Sequence, residues 1–285
     1  MKVSFILVYS SIKNMILMDP KSWSSKDRYY DKTILEFTKK ILKQIDSLDI
    51  NKEVILLDNS GDFPKEFSLP SLKVVPSIGA WNDKEIEDNK YLFSNIKDRI
   101  GLYDRGIGIK GSNQAEITAL GFEHGLAVAT GDYFILQHND TLYLDEYYKT
   151  EKLIKDAVTT LEENNYEYIT IDKKPLKDAT FKGMNYFADC YWFLCRKDFY
   201  TKHNIWVDWC RGDNNHLATI TCNDKNLKYL HLPGFYETFE HSKDYYKEQY
   251  PDLVGNVHFF NNIPFMTHMK GGTGLKRYDI TDRGR

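Results

Sequence analysis

The feature that most constrains this chain is an alternation at its start: an apolar run of strand length, an amphipathic stretch, and a further apolar run. Val3 through Val8 is rich in β-branched, aliphatic and aromatic residues, and the polar Tyr9-Ser10-Ser11 follows it; this reads as a buried first strand that ends in a loop. Over residues 31–48, Ile34, Phe37, Ile41, Leu42, Ile45 and Leu48 recur with lysines on the opposite face, which predicts an amphipathic helix. Residues 53–57 are again apolar after Glu53, and Asp58-Asn59-Ser60-Gly61-Asp62 closes them with turn formers. Strand, helix and strand in this order predict a parallel βαβ unit.

The pattern continues. Residues 72–75 form a short third strand stopped by Pro76, and a helix is expected near residues 83–99. Residues 113–129 form a helix that Gly121 and Gly125 thin out, and residues 133–136 form a fourth strand running into His138-Asn139-Asp140. A helix over 144–163 and a strand over 166–171 come next. Beyond them the reading gives a strand over 186–195, short helices over 197–203 and 213–222, and a strand over 226–232. Internal repeats and low-complexity segments are absent from the sequence.

Composition narrows the partners. In 285 residues, 38 basic side chains face 41 acidic ones without long blocks of one sign, so no electrostatic footprint for nucleic acid or an anionic membrane is present. No apolar run reaches the roughly 18 residues of a membrane span, which leaves peripheral membrane association open. The four cysteines, Cys190, Cys195, Cys210 and Cys222, form no Cys-x-x-Cys pair and read as free thiols of a cytoplasmic protein. Twenty tyrosines and five tryptophans offer faces for sugar rings, although ordinary packing explains most of them.

In an open α/β sheet, ligands bind beyond the carboxyl ends of the strands. The first, second and fourth strands end in Tyr9-Ser10, Asp58-Asn59-Ser60 and His138-Asn139-Asp140, and these ends converge if the strands are parallel. A carboxylate such as Asp58 suits a base imide or a ribose hydroxyl. Asp140 suits a divalent cation, whose shell diphosphate oxygens would complete.

Two segments carry a resemblance. Leu57-Asp58-Asn59-Ser60 and the run from Ala129 through Gly131, Tyr133 and Leu136 to Asp140-Thr141 resemble the D-[DN]-x-S and A-x-G-x-Y-x-x-x-L-x-x-D patterns of family 2 glycosyltransferases of the GT-A fold. The end of the longer run is similar to the Asn-Asn-Asp-Thr variant of that family's Asp-x-Asp, with His138 where the first carboxylate would stand. The likeness covers residues 1 to about 172 well and the remainder loosely.

The resemblance implies a Rossmann-like, mostly parallel central sheet flanked by helices. It further implies a nucleotide-sugar half over 1–140, an acceptor half over 141–269 and a flexible glycine-rich, basic tail over 270–285. It implies Mn²⁺ or Mg²⁺ held by Asp140, with His138 and His268 as further candidate ligands, although His231 and His241 compete with His268. Tyr9, Ser10, Asp58, Asn59, Ser60, Asn113, Asn139 and Lys270 are the nucleotide-binding candidates; Glu116 is another residue placed to touch the nucleotide. The stretch Trp206 to His216 resembles the family's acidic run, which makes Asp213 the candidate general base and Asp208 its reserve; Asp213 also reads as a helix N-cap after Gly212.

The activity implied is an inverting, metal-assisted transfer from a nucleoside diphosphate sugar, a UDP-sugar above all, to a hydroxyl of a glycan or other acceptor. Two alternatives stand beside it. One is a catalytically idle nucleotide- or sugar-binding module. The other is a sugar-nucleotide nucleotidyltransferase, against which Tyr9 through Asn14 lacks the glycines of a phosphate loop.

Overall fold

The computed structural model describes residues 1–11, 28–92, 114–171, 188, 191–207, 209–210, 213–235 and 256–268. In chain order the elements are β1 (Val3–Tyr9), α1 (Arg28–Asp46), β2 (Lys52–Asp58), β3 (Leu72–Pro76), α2 (Asp83–Asn89), α3 (Gln114–Val128), β4 (Tyr133–His138), β5 (Thr141–Tyr143) and α4 (Thr150–Glu163). There follow β6 (Tyr168–Ile171), β7 (Trp192–Arg196), α5 (Phe199–His203), β8 (Trp209–Cys210), β9 (Asp213–Asn214) and α6 (His216–Asp224). The last are β10 (Leu230–Leu232), β11 (Gly234–Phe235), β12 (Asn256–Phe260) and β13 (Ile263–His268).

Seven strands form the central sheet in the order β10-β6-β7-β4-β1-β2-β3. β1 runs parallel to β2 and β4, and β2 parallel to β3, while β7 lies antiparallel between β4 and β6. The fold is thus mixed α/β, with a large, mostly parallel sheet flanked by helices. Its apolar strands are covered on both faces. Phe5, Leu7, Val54, Leu56 and Ile135 point to one side, where α1 supplies Ile34, Phe37, Ile41, Leu42 and Ile45 and α4 supplies Leu153, Ile154, Ala157 and Leu161. Ile6, Val8, Ile55, Leu57, Phe134 and Leu136 point to the other side, against Ala119 and Phe122 of α3, Phe199 of α5 and Ala218 of α6. This two-sided burial is why the strands read as unbroken apolar runs.

Gly121 and Gly125 bring α3 close to the sheet. A Cβ at residue 125 would stand 2.2 Å from Ile6 Cγ2, and one at residue 121 would stand 3.0 Å from Val8 Cγ2. The residues that weaken the helix by propensity are those that let it pack.

A smaller, antiparallel sheet has the order β11-β12-β13-β5. Its hairpin turns on Asn261 and Asn262, with φ of 50° and 62°, the left-handed pair that two-residue hairpins use. The free edge of β5 is capped by a side chain: Gln44 of α1 donates to the Tyr143 carbonyl at 3.1 Å and accepts its N–H at 3.2 Å.

Several boundaries differ from the sequence reading, for local reasons. Residues 141–143 are drawn into a strand by pairing with β13, so α4 starts at Thr150, whose N–H and hydroxyl both donate to Asp145. α6 starts at His216 because Asn215 has φ of 75°, a conformation outside any right-handed helix. Asp213 therefore lies on a strand and is not the helix N-cap that sequence suggested. Asn226, with φ of 52°, follows α6 and delays β10 to Leu230. Among the described residues no helix is long and apolar enough to cross a membrane, and Cys195 and Cys222 are free and buried.

Candidate functional site

The parallel pairing sets three strand ends side by side. Tyr9 stands in register with Asp58, and Val8 with His138, so the polar residues that follow each strand emerge at one edge of the sheet. Two hydrogen bonds lock the first two ends together: the Asn59 N–H donates to the Tyr9 carbonyl at 2.9 Å, and the Ser11 N–H donates to Ser60 Oγ. Ser10 and Ser11 are buried beneath this junction.

Asp58 organises its own loop. Its Oδ1 accepts the N–H groups of Ser60 and Gly61 at 3.0 and 2.9 Å, and its Oδ2 accepts that of Phe63 at 3.1 Å. A carboxylate has about four acceptor positions, so these three bonds leave roughly one, on Oδ2, for a ligand. Burial pushes the Asp58 carboxyl above its ordinary range, the three amide bonds pull it down, and the neighbouring Asp62 charge raises it. Asn59 is fully buried beside α3, its Nδ2 3.3 Å from where a Cβ on Gly121 would stand.

On β4 the chain turns sharply after His138. Asn139 donates from Nδ2 to Thr38 Oγ1 of α1 at 3.1 Å, which pins the turn to the helix layer. His138 Nδ1 lies 3.9 Å from Asp140 Oδ1. The His138 ring stacks on Phe122 of α3 and meets Tyr191, which precedes β7, edge-on. A directed chain of buried hydrogen bonds supports the turn from below. Trp192 Nε1 donates to Tyr143 Oη (3.0 Å), Tyr143 to Gln137 Oε1 (2.8 Å), Gln137 Nε2 to Thr141 Oγ1 (2.8 Å), and Thr141 to the His138 carbonyl (2.7 Å).

Strand pairing adds a residue from far along the chain. β13 runs antiparallel to β5 with His268 opposite Thr141, so the His268 backbone sits one position from Asp140 across 128 residues of sequence. Asp213 pairs with Cys210 in the β8–β9 hairpin, which packs against α3 on the helix layer behind β1 and β2. Both Asp213 and His268 are placed here by their backbones. Asn113, Asp208 and Lys270 lie outside the described residues, as do His241 and the tail over 270–285. His231 is on β10, where Tyr168 Oη lies 3.2 Å from its Nε2; β10 is the edge strand, three positions from β4 in the sheet.

His138 Nδ1 and Asp140 Oδ1 are the two donors at this turn that could reach a single divalent ion. Two ligands on opposite sides of an ion with bonds of about 2.1 Å stand roughly 4.2 Å apart, and the 3.9 Å between His138 and Asp140 falls inside that limit. One carboxylate oxygen and one imidazole nitrogen fill two places, and among the described residues no group of three or more His, Cys, Asp or Glu completes them. The remaining places would fall to diphosphate oxygens or water.

Sequence reading missed Gln137, Phe122, Tyr191 and the Trp81–His124 pair. His124 is buried against Trp81 (centroids 5.1 Å apart) with its Nδ1 3.4 Å from Ser77 Oγ. Burial, aided by Lys73, lowers its pKa to about 4. A polar Gln137 within an apolar strand was the one visible signal; the others depend on which strands become neighbours.

No protein-family model matches this chain, and no curated protein matches it. Solved structures resemble it in part. The S. aureus TarS 1–349 structure is 13% identical, with a TM-score of 0.38, over 73% of this chain and 50% of that one. The bifunctional IspDF of Campylobacter jejuni is 9% identical, with a TM-score of 0.44, over 85% of this chain and 52% of that one. A mutant Drosophila β-1,4-galactosyltransferase 7, solved with manganese, UDP-Gal and xylobiose, is 11% identical, with a TM-score of 0.38, over 100% and 80%. The chain spans about half the length of the TarS 1–349 structures it matches. Likeness this distant assigns neither family nor reaction, and the functional reading rests on the residues.

Proposed function

We propose that this chain is a glycosyltransferase that moves a sugar from a nucleoside diphosphate sugar to an acceptor hydroxyl. The observation that carries the reading is the convergence of three parallel strand ends, with His138 and Asp140 3.9 Å apart on the third. An α/β sheet with polar ends gathered in this way binds ligands at that edge. A carboxylate beside an imidazole gives the edge an affinity for a metal-bound diphosphate.

The reading gives each residue a role. The Tyr9–Ser11 and Asn59–Ser60 segments, cross-linked by hydrogen bonds, form the cradle for the nucleoside. Asp58 holds that cradle and keeps one acceptor position for an imide or ribose donor. Asp140 and His138, joined by His268, hold Mn²⁺ or Mg²⁺; when bound, the ion supplies Lewis-acid stabilisation of the diphosphate leaving group. Asp213, on the hairpin behind α3, takes the proton of the acceptor hydroxyl as the anomeric carbon is attacked, which gives inversion. Asp208 is its reserve, and Asn113 and Lys270 complete the nucleotide contacts.

A thermal-shift screen of nucleoside diphosphates and their sugars, with and without Mn²⁺, tests the reading. A ligand at a hundred times its Kd stabilises by about 2.7 kcal/mol, a rise of several degrees in a protein of this size. A rise that requires Mn²⁺, followed by donor turnover, supports the transferase. Binding indifferent to Mn²⁺ with no donor hydrolysis across the panel identifies an idle binding module instead. No rise with any nucleotide overturns both.

A further inference from the structure

The β8–β9 hairpin that carries Asp213 is anchored at both ends. Before β8, Val207 is fully buried in the apolar layer that α3, α5 and α6 share. After β9, Asn215 is fully buried in the left-handed conformation, with φ of 75° and ψ of 29°, and its Oδ1 accepts the Tyr200 hydroxyl at 3.1 Å. Tyr200 is itself fixed. Its ring is buried on α5, edge-on to Phe199 (5.1 Å, 78°) and tilted toward Phe193 of β7 (6.3 Å, 45°). Phe193 stands in register with Leu136 of β4, so this hydrogen bond links the hairpin to the strand pair that leads to Asp140.

Ordinary roles do not account for the Asn215 side chain. It makes no capping bond to α6, although asparagine ahead of a helix commonly serves that purpose. The left-handed backbone alone would be met at lower cost by glycine, which has no Cβ to strain. A buried carboxamide costs more, and here its Nδ2 finds no acceptor among the described residues. A residue that breaks a local rule in this way marks a functional or strained site.

Resting on the reading of Asp213 as general base, we propose that Tyr200 and Asn215 are positioning residues whose hydrogen bond fixes the hairpin, and Asp213 with it, relative to β4. Asn215 follows Asp213 by two residues, so loss of the bond frees the β9 end of the hairpin while Val207 still holds the β8 end. A reacting group displaced by about 1 Å loses on the order of 10² in rate. Donor binding at the ends of β1, β2 and β4 is built without α5 and is left alone.

The test is amide hydrogen exchange of the full chain, followed across the hairpin, together with UDP release from a panel of UDP-sugars. Tyr200→Phe keeps the ring packing and removes the donor; Asn215→Gly keeps the left-handed turn and removes the acceptor. Each should speed exchange of the hairpin amides about fivefold, the net worth of one hydrogen bond, and leave α3 and β1 as in wild type. The double variant should exchange no faster than either single one, since both remove the same bond. In turnover, each should lower kcat about tenfold with the donor KM unchanged, and in an Asp213→Asn background Tyr200→Phe should cost nothing further.

Unchanged hairpin exchange overturns the proposal, as does acceleration spread equally over α3 and β1, which a general loosening of the fold would give. Equal kcat losses from Tyr200→Phe with and without the Asp213 carboxylate overturn it as well. Asp213→Asn separates these failures from that of the parent reading. UDP release at the wild-type rate in that variant removes the base assignment, and no release by wild type from any UDP-sugar removes the transferase reading. A large loss in Asp213→Asn with unchanged exchange in Tyr200→Phe removes the positioning role alone.

Discussion

Tyr143 donates its hydroxyl to Gln137 Oε1 at 2.8 Å, joining the strand before the Asp140 turn to the strand after it. The same hydroxyl accepts from Trp192 Nε1 at 3.0 Å, so one oxygen ties β4, β5 and β7 together beneath the candidate site. Tyr143→Phe leaves a buried carbonyl and a buried indole N–H without this partner. Each such group costs about 1–3 kcal/mol, so a loss of about 3 kcal/mol in urea unfolding is expected, together with weaker nucleoside diphosphate binding by calorimetry. Unchanged stability would show that water or a shifted neighbour replaces the hydroxyl.

The approach of α3 to the sheet makes a ranked prediction. Gly125→Ala places a methyl 2.2 Å from Ile6 Cγ2 and 3.0 Å from Leu57 Cδ2, both in the core, whereas Gly121→Ala meets Val8 at 3.0 Å. Overpacking of a filled core costs about 1–3 kcal/mol. Gly125→Ala should reach the top of that range and Gly121→Ala should cost less, even though alanine is the better helix former by roughly 1 kcal/mol. Equal stabilities, or a stabilised Gly125→Ala, would show that α3 can move away from β1.

These glycines also mark what sequence could and could not disclose. The strand runs of β1, β2 and β4 and the helix period of α1 are strong because burial of both sheet faces and of one helix face is written in local pattern. The convergence of Tyr9, Asp58 and Asp140 followed from that order alone. The smaller sheet was missed. Its β5 is three residues long, and its partner β13 lies more than 120 residues away, so no local pattern predicts the pairing. The Asn261-Asn262 pair between Phe260 and Ile263 was a readable hairpin signal. His138 was legible as a departure from a motif, but the rings around it were not, because Phe122 and Tyr191 reach it only through α3 packing and the antiparallel β7.

Acid should unfold the protein in two windows. His124 has its folded-state pKa lowered from 6.5 to about 4 by burial. The unfolded chain therefore takes up its proton first, and stability present above pH 6.5 is lost as pH falls toward 4. Glu53 is lowered from 4.5 to about 2: burial raises it, but bonds from Ser4, Thr130 and Lys2 outweigh that effect. Its contribution is present above pH 4.5 and lost between there and pH 2. His124→Gln should flatten the first window of a Tm–pH curve and Glu53→Gln the lower one. Glu53→Gln should also cost about 2 kcal/mol at pH 7, since a charged acceptor is worth more than a neutral one. A curve for either variant that parallels wild type through its window would remove that residue as the cause.

Donor binding and transfer should separate by residue. The Asp140 side chain is only 13% exposed and lies beside His138 at the strand end, so Asp140→Ala should abolish Mn²⁺-dependent nucleoside diphosphate binding while circular dichroism and Tm stay near wild type. Asp213 lies on the β8–β9 hairpin, outside the central sheet that gathers Tyr9, Asp58 and Asp140. Asp213→Asn keeps shape and removes the base, so it should leave donor affinity unchanged and lower kcat by about 10² to 10⁴, the usual contribution of a positioned general base. Transfer at the wild-type rate in Asp213→Asn would move the base to Asp208. Loss of donor binding in the same variant would show instead that the hairpin closes on the nucleotide and that Asp213 belongs with the cradle residues.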